Sequence, residues 1–263
     1  MAKPPTKESD TMKRNPAILI TVSAYLLLGL CIQSVNATGS THIWGPSTDI
    51  QGFNLWHLTT DVYIAAEGDR AGNRIAPVTN LGLTVGILPF EKFGMEIGFD
   101  HKSGLGAADD YPLYRNIKIG LPENAFGSWF PAIAMGAYDI GTRSDVTDYN
   151  ILYAKIAKSV TVGKLDLGRL SLGYFTGNDE LLIDAKGEAD ENGLMAAWER
   201  TMSELSDRLW ICVEYMGTES TYGTLNVGAA WKVAPNVGVL AGYSIYNNAS
   251  LADTFTLQID IDF

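Results

Sequence analysis

The sequence predicts an all-β fold, a transmembrane antiparallel β-barrel of about twelve strands in meander order with both termini on one side. Three features predict it. Stretches of about ten residues alternate apolar and polar side chains, the period of a strand whose two faces meet different surroundings. The linkers between these stretches are mostly short on one side and longer and more charged on the other. The chain also closes on one of the cleanest stretches, in which Phe255, Leu257, Ile259, Ile261 and Phe263 alternate with Thr254, Thr256, Gln258, Asp260 and Asp262. In an open sheet such a strand is an exposed apolar edge, whereas in a closed barrel it seals against the first strand.

The elements follow in order. Lys13 and Arg14 flank an apolar run from Ala17 to Ile32, shorter than a membrane-spanning helix, and Val35-Asn36-Ala37 offers small residues for cleavage. Residues 1–37 therefore read as a cleaved signal peptide, with Met12 as an alternative start and a retained anchor as the competing reading. Cys31 follows Leu30, which is too large for a lipobox. Residues 38–53 read as a periplasmic N-terminal segment, and residues 54–263 as the barrel.

Strands are expected at 54–66, 77–88, 92–101, 112–121, 130–140, 149–159, 168–177, 192–201, 208–217, 223–233, 237–247 and 254–263. In the second, Leu81, Leu83, Val85 and Ile87 oppose Asn80, Gly82, Thr84 and Gly86; in the third, Phe93, Met95, Ile97 and Phe99 oppose Gly94, Glu96, Gly98 and Asp100. The fifth and sixth are weaker, because Pro131 lacks an N–H donor and the apolar rhythm there is broken. Pro89-Phe-Glu91 and Ala234-Pro-Asn236 are short turns, while Lys102 to Tyr111 and Asn178 to Glu191 are long loops.

Composition narrows the function. The chain is 46% hydrophobic and 19% charged, too polar for a helical membrane protein and too aromatic for a disordered one. Without residues 1–37, which hold four basic and two acidic side chains, 15 basic and 28 acidic residues remain, a net charge of −13 that opposes a nucleic-acid partner. Of the two cysteines only Cys212 would remain, so no intramolecular disulfide is expected. No HExxH, CxxC, P-loop or GxSxG pattern is present. No catalytic residue, metal ligand or cofactor is expected. His101 with Ser103 is the one dyad that a membrane lipid hydrolase or deacylase could use. The acidic loop with Asp179, Glu180, Asp184, Glu188, Asp190 and Glu191 lacks the spacing of a calcium loop and reads as solvated.

In a membrane barrel the apolar face turns to lipid and the polar face to the lumen. Trp56, Phe93, Phe99, Trp198, Trp231, Tyr243, Phe255 and Phe263 are then expected outside. His57, Asp61, Glu96, Lys118, Lys155, Glu199, Glu214, Lys232, Gln258 and Asp260 are expected to line the lumen, with Gly82, Gly86, Gly94, Gly98, Gly120, Gly173, Gly228 and Gly242 beside them. Charges of both signs there serve either a water-filled pore that orients polar solutes or a set of ion pairs that fills a narrow bore.

The final strand, ending on Phe263, resembles that of bacterial outer-membrane β-barrels, where a terminal Phe serves as an assembly signal. The resemblance implies an outer-membrane location, contact with outer-membrane lipid and the barrel-assembly machinery, and a porin-like monomer passing small polar solutes. Leu88-Pro89-Phe90, Trp129 to Gly136 and Asp139-Ile-Gly-Thr142 resemble the YjbH-like outer-membrane barrels, with Arg143 where a second glycine is often found. That resemblance implies a structural or polysaccharide-export-associated barrel with a plugged lumen.

Overall fold

The computed structural model describes residues 40–68 and 72–263; the expected signal peptide, residues 1–37, lies outside them. Twelve strands form one closed antiparallel barrel in meander order. They are β1 (Trp56–Ala65), β2 (Val78–Gly86), β3 (Gly94–Ser103), β4 (Leu113–Leu121), β5 (Ala132–Ile140), β6 (Asp148–Val162), β7 (Leu165–Thr176), β8 (Asn192–Thr201), β9 (Leu209–Met216), β10 (Thr224–Ala234), β11 (Val237–Tyr246) and β12 (Thr254–Asp262). Each expected strand is present, including the two weaker ones. β5 begins one residue after Pro131, so the missing donor falls outside the ladder.

Closure is made by β1 and β12, paired from His57 opposite Asp262 to Ala65 opposite Thr254. Closure leaves these twelve strands without a sheet edge to attract another strand. The linkers at one end include the two-residue turns 163–164 and 235–236, and those at the other include 66–77 and 177–191. We call these the short-turn and long-loop ends.

The faces have the polarity of a membrane barrel. Phe99, Leu170, Leu172, Tyr174, Leu194 and Phe255 are exposed on the outer wall, while Glu96, Lys118, Lys155 and Glu214 are buried inside. An outer surface this apolar exceeds the patches that soluble monomers expose, and suits hydrocarbon. Trp56, Phe93 and Trp231 lie exposed toward the short-turn end, and Tyr174 and Tyr215 toward the other, as interfacial aromatics do.

The structure departs from expectation at the N-terminal segment. Residues 40–51, expected in the periplasm, run inside the barrel: Ser40, His42, Ile43, Ser47, Thr48 and Gln51 are all buried. Sequence periodicity is silent about them because they form neither helix nor strand. The bore is further filled beside β6–β9, where Ile151, Phe175, Met195 and Met216 pack with Leu182 and Tyr222 from the long loops. The lumen is therefore asymmetric: toward the long-loop end it is apolar and filled beside β6–β9, whereas beside β1–β5 polar groups border a cavity.

Candidate functional site

The inward charges meet the backbone of residues 40–51. On β3 and β4, Glu96 accepts the Gln51 N–H at 2.7 Å and pairs with Lys118 at 2.9 Å. Lys118 Nζ also donates to the carbonyls of Ser40 and Asp49, each at 2.7 Å. Across the bore on β9, the Glu214 carboxylate accepts the N–H groups of Ile43, Trp44 and Gly45. Lys155 on β6 donates to the Pro46 carbonyl at 3.0 Å and to His42 Nδ1 at 3.1 Å, which leaves His42 Nε2 to donate to Glu199 at 3.2 Å. Gln258 on β12 donates to the Ile43 carbonyl at 2.6 Å. Strand parity aims these side chains inward, and each buried charge meets an opposite charge or a backbone dipole, which offsets its desolvation.

Close approach requires glycines on the facing strands. A Cβ at Gly86 would lie 2.2 Å from the Gln51 carbonyl oxygen, and one at Gly228 would lie 2.9 Å from Ile43 Cδ1. At these two positions the inner glycines make room for chain.

The remaining expected lumen residues take other positions. His57 is buried between Asp262 at 2.8 Å and Asp260 at 3.2 Å, tying β1 to β12. Lys232 shares the inner face of β10 with Asn226, near the short-turn end and half-buried. Asp61 accepts from Thr59 at 2.9 Å and from Asn80 at 3.0 Å. It borders a cavity of about 280 Å³ along the β1–β5 wall, together with Asp100, Lys102, Tyr138 and Asp139.

Several site residues were not singled out from sequence. Asp100 and Lys102 follow from the parity of β3, and Arg169 from that of β7. Arg169 grips both oxygens of Asp49 at 2.8 Å. Asp139 is hidden from a period-two reading because the β5–β6 register shifts between Tyr138 and Ile140. Its φ of 53° turns it inward beside Tyr138, where it binds Lys102 and the Tyr222 hydroxyl. The Asp-Ile-Gly stretch thus supplies a bulge.

The His101–Ser103 dyad is not assembled. Both residues belong to β3, His101 is exposed on the outward parity, and the Ser103 hydroxyl bonds to Thr79 at 2.7 Å. In the acidic loop, Asp184 accepts the N–H groups of Lys186 and Glu188 at 2.8 and 2.9 Å. Those hydrogen bonds, led by that from Glu188, hold its carboxyl below the usual range. No group of three metal-binding side chains occurs among the described residues.

No protein-family model and no curated sequence matches the chain, so the narrower YjbH-like resemblance gains no support. Solved structures match the fold. The KdgM porin aligns with a TM-score of 0.52 at 11% identity over 79% of this chain and 99% of its own. The KdgM porin in complex with disordered oligogalacturonate aligns at 0.50 and 12% identity, over 79% and 99%. An outer-membrane channel from Pseudomonas putida F1 aligns at 0.46 and 11% identity over 87% and 100%. The chain shares the barrel fold of the KdgM porin.

Proposed function

We propose that the chain is an outer-membrane, porin-like channel for small polar solutes, with a bore constricted by residues 40–51. One observation carries this reading: beside the inserted segment a cavity of about 280 Å³ persists, with apolar and aromatic walls into which Asp61, Asn80, Asp100 and Asn116 bring carboxylates and amides. A barrel built only as a filled scaffold has no need of charged and amide groups facing open space. The fold likeness to the KdgM porin supports the same reading, as does the outward apolar wall. Passive diffusion needs no catalytic group, which agrees with the unassembled His101–Ser103 pair. Phe263 acts as the assembly signal read by the barrel-assembly machinery, and the channel works as a monomer.

The second reading is a plugged structural barrel, and the contacts to Glu96, Lys118, Lys155 and Glu214 favour it. Swelling of liposomes containing the refolded protein separates the two. A channel admits arabinose and excludes a bulkier trisaccharide such as raffinose. Absence of swelling with any solute, from a barrel that still shifts mobility on heating, would overturn the channel and leave the plugged scaffold.

A further inference from the structure

Asp61 and Asp100 differ from the other inward acids. Glu96 is paired with Lys118, Asp139 with Lys102, Glu199 with Arg169 and His42, and Asp260 and Asp262 with His57, while Glu214 accepts three backbone N–H groups beside His42. Among the described residues neither Asp61 nor Asp100 has a cationic side chain within ion-pair distance. They are instead bridged by one amide: Asn80 Nδ2 donates to Asp61 at 3.0 Å and to Asp100 at 3.2 Å. Thr59 donates to the first at 2.9 Å and Asn116 to the second at 2.7 Å. Because the Asn80 nitrogen is committed to both carboxylates, its oxygen is the free end, and among the described residues that buried Oδ1 has no hydrogen-bond partner. The buried Tyr138 hydroxyl on the same cavity likewise has none among the described residues. Two carboxylates and two unused polar atoms therefore face one space in which the lysine beside them, Lys102, is bound to Asp139, an arrangement costly to leave without a further cation or donor.

The surroundings specify what kind of cation. A second cavity, also about 280 Å³, lies toward the long-loop end, walled by Ile75, Tyr246, Leu251 and Ala252. It shares Trp44, Tyr63, Val78, Leu105 and Thr221 with the first, so carboxylates below and apolar groups above bound adjoining spaces. The Trp44 and Tyr63 rings meet edge to face at 5.2 Å where the two adjoin. An inorganic cation uses oxygen ligands and gains nothing from such walls. An ammonium head carried on an aromatic or aliphatic body uses both halves, through the carboxylates and through burial against the rings.

On the strength of the channel reading, we propose that the β1–β5 side of the lumen binds small amphipathic organic cations, with the ammonium group between Asp61 and Asp100 and the apolar body against Trp44, Tyr63 and Leu105. The acidic wall selects against carboxylates, opposite in sign to what an acidic oligosaccharide requires.

Titration calorimetry of the intact protein in detergent tests this with three probes of matched shape: 2-phenylethylamine, 2-phenylethanol and 3-phenylpropionate. The amine is expected to bind at least roughly tenfold more tightly than the alcohol, with no binding of the acid. Asp61→Asn combined with Asp100→Asn is expected to remove the preference for the amine, in a barrel that keeps its heat-modifiable mobility. Equal affinity for amine and alcohol, binding of the acid, or an unchanged preference in the double variant would overturn the site. The unmodified protein decides between the first two outcomes even where the variant fails to fold. Calcium that displaces the amine at equal concentration would also overturn it, in favour of an inorganic cation. The readout does not depend on transport: a conducting barrel without the preference loses the site alone, and a silent barrel with it loses the channel alone.

Discussion

The carboxylate of Glu214 accepts three successive backbone N–H groups, those of Ile43, Trp44 and Gly45, in a buried setting. A hydrogen bond to a charged group contributes about 1.5–3 kcal/mol, so Glu214→Gln should weaken the seating of the segment by about 2 kcal/mol. Cys212 reports on this, since it is buried against Ile43 on the same inner face. With Cys31→Ser as background, leaving one of the two cysteines, a water-soluble maleimide should label Cys212 slowly. Adding Glu214→Gln should speed labelling by up to about thirtyfold. An unchanged rate would mean that Glu214 does not hold the segment. At this scale the sequence is legible in direction only. Period two aims Glu96, Lys118, Lys155 and Glu214 inward, but their partners are backbone atoms of a segment without periodicity. Asp139 escapes even the directional reading because a bulge resets the phase.

Among the elements, the strands were the most legible part of the chain. Most alternate against two unlike environments, and a slip of one residue would turn charges to lipid. The inserted segment was not legible, since its conformation is set by the cavity it enters. The linker 122–131 is a smaller case. Burial pushes Glu123 up, but hydrogen bonds from Lys158 at 3.0 Å, the Ser159 N–H at 3.0 Å and the Ser159 hydroxyl at 2.8 Å outweigh it and hold the carboxyl below its ordinary 4.5. A depressed carboxyl stabilises above its unfolded value and loses that contribution as pH falls through the folded one. The clip between this linker and β6 should therefore persist at pH 4.5 and loosen only in more acid solution. Amide exchange at Ser159 measures it, and Glu123→Gln should abolish the pH dependence. Loosening already complete at pH 6 would refute the assignment.

For the whole molecule, closure and function separate. The β1–β12 pairing closes the barrel regardless of what fills it, and closure was readable from the last ten residues because their apolar face needs both lipid and a partner strand. Whether the bore is open was not readable, since inward charges serve a pore and a plug equally well. The structure assigns many of them to residues 40–51 and leaves Asp61 and Asp100 to the cavity. On the channel reading this cavity belongs to a solute path that residues 40–51 narrow. Single-channel conductance in planar bilayers, comparing the intact chain with a variant lacking residues 41–50, measures that narrowing. The intact chain should give small discrete steps, and the shortened chain steps several-fold larger, because the strand ladders survive while the bore widens. Equal conductance in the two, or silence from both as folded barrels, would mean that residues 40–51 do not narrow a solute path.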